Sequence, residues 1–422
     1  MQLAVKSRRE FFSRTMTAVV VGLKSRQNVP AANDSGWNWE LLVPHNKNGG
    51  DSQPLPRDPW NALLAYEDAL YLFGGVYPKY GPSQSPGDLS TMGSLNDLWR
   101  FGIRDGSWTL LQPDNGSALF DESDVRPCGR VLPGWAEVGG KFYLFGGLTA
   151  FGAGWKTRLL NDLWQYDPVD NRWTLLEPDD GRQLRSRDQV DADRPTALAA
   201  MGTAVVGQRI YLFAGWGGQQ PSVVLSNQLW SYDVVRSRWE FHGSQGSSKE
   251  WPAKRYCPAV TSWQERLFLW AGRDTESLDP QWYNDLWSYD PETARWEQLA
   301  ENGPGGTDDS SSRPAARYGM GAARIGADWY IMGGFGNETG NAPQWNDLWR
   351  LDLRGGDWTL LQPSDRSKDV SPKAARPCVR RVPGMTASSG AVYLFGGLDL
   401  TSGPHDDGPI LGFNDLWRGS PR

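Results

Sequence analysis

The chain has 422 residues, with 43 basic and 49 acidic side chains and a net charge of −6. That balance speaks against a nucleic-acid partner. Glycine (49) and proline (29) are abundant and there are 23 tryptophans, a composition for many short strands rather than long helices, while three cysteines exclude a disulfide scaffold.

In chain order, Met1–Arg14 is basic and Thr15–Leu23 is a run of nine small and apolar residues. As a helix it would reach only ~14 Å, short of the ~30 Å hydrocarbon core, so no membrane span is expected. Ser7-Arg8-Arg9-Glu10-Phe11-Phe12 resembles a twin-arginine export signal, and Val29-Pro30-Ala31 offers a small-residue cleavage site. Lys24 and Arg26 depart from that pattern. The expectation is a periplasmic or secreted protein. The alternative for residues 1–35 is a basic tail, disordered or packed as a short helix, on a cytoplasmic protein.

From residue 36 one unit repeats six times. Asn-Asp-Leu-Trp occurs at Asn96–Trp99, Asn161–Trp164, Asn284–Trp287, Asn346–Trp349 and Asn414–Trp417, with a variant at Asn227-Gln228-Leu229-Trp230. Each is preceded by an apolar run ending in small residues, at Gly75, Gly147, Gly215, Gly272, Gly334 and Gly397. A second tryptophan follows the first five: Trp108, Trp173, Trp239, Trp296 and Trp358. The tryptophan spacing of 65, 66, 57, 62 and 68 residues is that of a propeller or solenoid. Alternating segments such as AVYLFGG read as strands.

The glycine pair followed by a spaced aromatic pair resembles the kelch family over about nine-tenths of the chain. The resemblance implies an all-β, six-bladed kelch-type β-propeller of four-stranded blades over residues 36–418, with residues 419–422 as a tail. The sixth unit lacks its second tryptophan, and Trp37-Asn38-Trp39-Glu40-Leu41-Leu42 matches the missing strand. An N-terminal strand would therefore close the last blade and remove the open edges. The tryptophans are read as packing between blades, and the motif aspartates as bonding local backbone.

With strands lettered a to d from the axis outward, the b–c and d–a loops share one face and are long; the a–b and c–d turns are tight. Long loops on a rigid scaffold make the b–c/d–a face the functional one. One register near the start of strand a holds Asp58, Arg130, Leu198, Arg255, Arg317 and Arg380, and four residues earlier stand Arg126, Arg194, Arg313 and Arg376. Innermost strands would bring these arginines around the channel mouth as an anion site. Alternatively they pair with loop carboxylates such as Asp121, Glu122, Asp124, Asp191 and Asp193. Beyond the glycine pairs, Tyr77, Trp216, Arg273, Asp274, Asn337 and Asp399 complete the expected ligand-binding set.

Chemistry is sparse. His45, His242 and His405 are the three histidines, with no convergent pair for the copper centre that a galactose-oxidase-like branch implies. Nor is there the Glu/Asp/His pattern of the iron site that a nitrile-specifier-like branch implies. No metal or cofactor is expected. Cys128, Cys257 and Cys378 read as free, buried thiols. Two functions remain: a monomeric binding module for a peptide, protein or small anionic ligand, or a metal-independent enzyme on a small anionic metabolite. The enzyme would resemble the sialate-mutarotase branch, with acid–base chemistry in the mouth.

Overall fold

The computed structural model describes residues 36–422 except 47–48, 51, 79–91, 118, 152–155, 187–188, 190–192, 219–222, 245–249, 276–280, 337–342 and 400–410. The export expectation for residues 1–35, and the expectations for Asp191, Asn337 and His405, lie outside the described residues.

Six four-stranded antiparallel sheets follow one another along the chain. Blade 1 is typical: strand a is Leu63–Tyr66, b Ala69–Pro78, c Met92–Gly102 and d Ser107–Gln112. Inner strands are short, and those of blades 2 to 6 begin with glycine or alanine, because six of them converge. A Cβ on Gly384, the first residue of strand a in blade 6 (Gly384–Ser388), would stand 2.8 Å from Leu63 Cβ of blade 1. The core is accordingly divided into six wedges between neighbouring blades. Trp99, Phe395 and Leu416 meet between blades 6 and 1; Phe73, Trp135 and Trp164 between 1 and 2. The motif tryptophans are buried, as expected, each covering on the order of 150–250 Å².

The ring closes as the sequence requires. Trp37–Val43 pairs antiparallel with Leu411–Pro421, the outermost addition to blade 6. Residues 419–422 are not a tail: Trp37 lies opposite Pro421 and Trp39 opposite Gly419. The compact unit is Gly36–Arg422. Trp37 and Trp39 then fill the wedge between blades 5 and 6 with Tyr330, Met332 and Trp417.

Strand b carries a bulge at its small-residue pair in blades 1, 2, 3, 4 and 6. Gly74 and Gly75 have φ of 60° and 105°, and Cβ atoms there would come within 2.7 Å of Leu95 O and 2.6 Å of Asp58 O. Glycine is needed because the backbone of strand c and the lead-in to strand a both press on this corner.

Candidate functional site

The arginines expected to ring the mouth do not face it. Arg130, Arg255, Arg317 and Arg380 are 0% exposed. Each is clamped bidentately to the aspartate of its own blade's Asn-Asp-Leu-Trp motif: Arg130 to Asp162, Arg255 to Asp285, Arg317 to Asp347 and Arg380 to Asp415, at 2.7–2.9 Å. Their second donations go to the first residue of the small pair, as in Arg317 Nη1 to Gly333 O at 2.9 Å. Arg317 also lies 4.4 Å from the Trp345 ring. A buried guanidinium with its fork filled has nothing left for a ligand. Blade 1 has the same device one residue earlier: Arg57, not Asp58, binds Asp97 and Gly74 O.

This unit accounts for the whole motif. The aspartate takes the guanidinium and also the indole N–H two residues on, as in Trp349 Nε1 to Asp347 Oδ2 at 2.8 Å, rather than local backbone. The asparagine pins the d–a loop at both ends: Asn284 Nδ2 donates to Gly303 O and Pro314 O. Burial alone would raise the Asp415 carboxyl; the Arg380 guanidinium and the Trp417 N–H hold it below the ordinary carboxylate range.

The second arginine register also serves the loops. Arg313 donates to Glu301 O and Pro304 O, and Arg376 to Asp365 and Pro363 O. Arg194 pairs with Glu177 and Asp180. Arg126 sits half-exposed in the same kind of segment. Loop ordering by carboxylate pairing is therefore present, with Asp180 and Asp365 as partners.

The residues that do ring the mouth follow by one the buried arginines, or Leu198 in blade 3: Asp58, Val131, Ala199, Tyr256, Tyr318 and Arg381. Their backbones bridge to the residues after the small pairs, Val76, Leu148, Trp216, Arg273, Phe335 and Leu398. Strand alternation explains the shift: neighbours along an extended chain point to opposite sides. The mouth is lopsided. Trp216 packs with Val76, Val131, Leu148 and Ala199 on an apolar side, while blades 4 to 6 supply an aromatic and cationic side. There Arg273 Cζ lies 4.3 Å from the Trp282 ring and 5.8 Å from the Tyr318 ring. Arg381 Nη1 donates to Tyr318 Oη at 3.2 Å, with its Cζ 5.8 Å from the Phe335 ring. Tyr318 thus stands between two arginines, and the Nε of each is buried without a hydrogen-bond partner.

Asp58 enters this ring from blade 1. The Trp60 N–H donates to its Oδ1 at 3.1 Å. Burial pushes its carboxyl up to about 7, against the opposing pull of that N–H and of Arg381. Beneath, Trp60 closes the axis in one cluster with Ala200, Cys257, Tyr318 and Val382, and Asn61 Nδ2 reaches across from blade 1 to Met201 O of blade 3 at 3.0 Å. The mouth is a bowl with a floor.

Of the remaining expected residues, Tyr77 is half-buried late in strand b of blade 1. Asp274 and Asp399 are buried, with Lys254 Nζ and Lys368 Nζ at 3.9 and 3.7 Å. Cys128, Cys257 and Cys378 are free and buried; burial raises all three thiols. Among the described residues no group of three or more His, Cys, Asp or Glu side chains is placed to hold a metal ion, and no helix is long and apolar enough to cross a membrane.

Six blades built on a Gly-pair/Asn-Asp-Leu-Trp unit and closed by an N-terminal strand define a kelch-type β-propeller. The chain belongs to the kelch-repeat family: the profile described as "KLHDC2/KLHL20/DRC7 Kelch-repeats domain" matches residues 202–417, just over half the chain, and the Kelch motif matches 129–178. It is 25% identical over 339 residues to the Leucine-zipper-like transcriptional regulator 1 homolog of Drosophila melanogaster, covering 80% of this chain and 29% of that protein. Kelch domain-containing protein 10 of Homo sapiens is 24% identical over 309 residues, 73% of this chain and 61% of that one. The chain thus spans less than two thirds of either relative. The N-(sulfonatooxy)prop-2-enimidothioate sulfolyase of Thlaspi arvense is 25% identical over 300 residues, 68% and 72% of the two chains.

Proposed function

We propose that this protein is a binding module whose b–c/d–a face holds a peptide or protein partner, with an anionic group of that partner seated in the mouth. The observation that carries the reading is the pair Arg273 and Arg381 on either side of Tyr318, each with a buried Nε lacking a protein partner. Guanidinium donors left unfilled in a partly dry bowl favour a carboxylate or similar anion. The apolar side, Val131, Ala199 and Trp216, offers a seat for a hydrophobic neighbour of that group. Calorimetric titration with an acidic peptide, benzoate and free sialate tests this. Binding of at least one, weakened tenfold or more by Arg381→Gln or Arg273→Gln, is expected; unchanged affinity in both variants contradicts it.

A second reading, an acid–base enzyme on a small anionic metabolite, draws support from Asp58. It is a carboxyl that titrates near neutrality beside Arg381, suited to moving a proton. One relative also carries the name of a lyase. Exchange between sialate anomers, followed by NMR, should then be accelerated by the wild type and not by Asp58→Asn. For residues 1–35 we propose export through the Arg8-Arg9 pair; Arg8→Lys/Arg9→Lys should retain the precursor inside the cell, and equal fractionation of both forms argues against it.

A further inference from the structure

We infer that the mouth is built for a ligand carrying a cationic group beside its anionic one, the anion on Arg273 and Arg381 and the cation on Asp58. The inference rests on the binding reading above and narrows it to zwitterionic chemistry.

The motif carboxylates Asp97, Asp162, Asp285, Asp347 and Asp415 each have a guanidinium clamped across both oxygens. Asp58 has one hydrogen bond, from its neighbour's backbone N–H, and no ion pair within 4 Å among the described residues. The charged and titratable groups around it are Arg381 and the buried Cys257 thiol, with Tyr256, Tyr318 and Arg273 further round the bowl. Arg381, the nearest cation, is turned to Tyr318 Oη and the Phe335 ring. Asp58 is therefore a half-buried carboxylate with no guanidinium clamped to it; burial raises it to about 7, and the Trp60 N–H and Arg381 offset that only in part. Asp415, burdened by burial too, goes the other way because Arg380 is there.

A plain anion in this bowl gains two arginines but meets a carboxylate close by. A zwitterion relieves that conflict. Its ammonium supplies the charge-assisted partner that Asp58 lacks. The register supports this division of labour: Asp58 and Arg381 occupy the same ring position in the neighbouring blades 1 and 6, and Arg273 is the bridge partner of Tyr256, which holds that position in blade 4.

The experiment compares ω-amino carboxylates from β-alanine to 6-aminohexanoate with their des-amino counterparts, by calorimetry at pH 6 and pH 8. At pH 8 the best-fitting amino carboxylate should bind at least tenfold more tightly than its des-amino partner. At pH 6, with Asp58 protonated, that advantage should shrink while the plain carboxylate binds more tightly. Asp58→Asn keeps an oxygen for the Trp60 N–H, so the bowl should stay folded, as a melting curve checks; it should erase the preference at both pH values and tighten benzoate and the other plain carboxylates, as protonation does at pH 6. Equal affinity of the paired probes for the wild type, or a preference that survives Asp58→Asn, overturns the inference alone. If no probe of any class binds, the mouth reading falls with it.

Discussion

Blade 3 differs from the other five at both ends of one ion pair. Where they have a buried arginine it has Leu198, and where they have the motif aspartate it has Gln228. Gln228 keeps half of the aspartate's work, accepting the Trp230 indole N–H at 2.9 Å, and donates to Gln189 O. Leu198 packs with Leu184, brought in by the long loop before blade 3. Losing one partner alone would strand a charge in the interior, so both are replaced together and the space is filled with apolar atoms. The pairs are thus exchangeable structural parts, whereas Arg381, one step along the chain from Arg380, and Arg273, just after the small pair of blade 4, are not clamped to a motif aspartate.

The largest expected effect comes from breaking one pair. Asp347→Ala leaves Arg317 buried and unpaired and should cost about 3–5 kcal/mol, read from denaturant unfolding. A change under 1 kcal/mol would mean that water reaches the guanidinium. Converting blade 5 to the blade 3 chemistry, Arg317→Leu/Asp347→Gln, should cost less than half as much as Asp347→Ala, because no charge is orphaned. The converse, Leu198→Arg, should destabilise blade 3 by several kcal/mol, with Gln228→Asp recovering only part, since Leu184 occupies the space. Full recovery would show that the loop yields freely.

The smallest effect separates the two kinds of carboxylate by pH. Asp415 is held below its ordinary range, so its contribution is present above the unfolded value of ~4 and is lost as pH falls through its lower folded value. Asp58 is raised to about 7. Between ~4 and 7 the folded chain keeps a proton that the unfolded chain releases, so this group lowers stability as pH rises through that window. Asp58→Asn should flatten that part of the stability profile; an unchanged slope would place Asp58 in contact with bulk water.

The architecture was legible because six copies average out local noise: small-residue pair, motif tryptophan and the displaced Trp37–Leu42 strand all reappear. The mouth was misread for a physical reason. Arginines in an acidic chain look unpaired until the motif aspartate, some thirty residues on, is recognised as their partner. In blade 1 the register slips because Arg57 stands seventeen residues before Gly74 where the others stand sixteen before theirs, so Asp58 aligns with the buried arginines of the other blades. What did carry a signal was alternation. The residue after each buried arginine must face the other way, and Tyr256, Tyr318 and Arg381 were there to be found.

The central claim is that the buried arginines clamped to the motif aspartates hold the fold and the mouth arginines hold the ligand. Melting curves and acidic-peptide titrations on Arg317→Met and Arg381→Met, side by side, test it most directly. Arg317→Met should lose stability by exposing Asp347 to an unpaired burial, and the folded fraction should bind as the wild type does. Arg381→Met should melt within a degree or two of the wild type and lose at least tenfold in affinity. An Arg317 variant that melts normally, or an Arg381 variant that binds normally, contradicts the account.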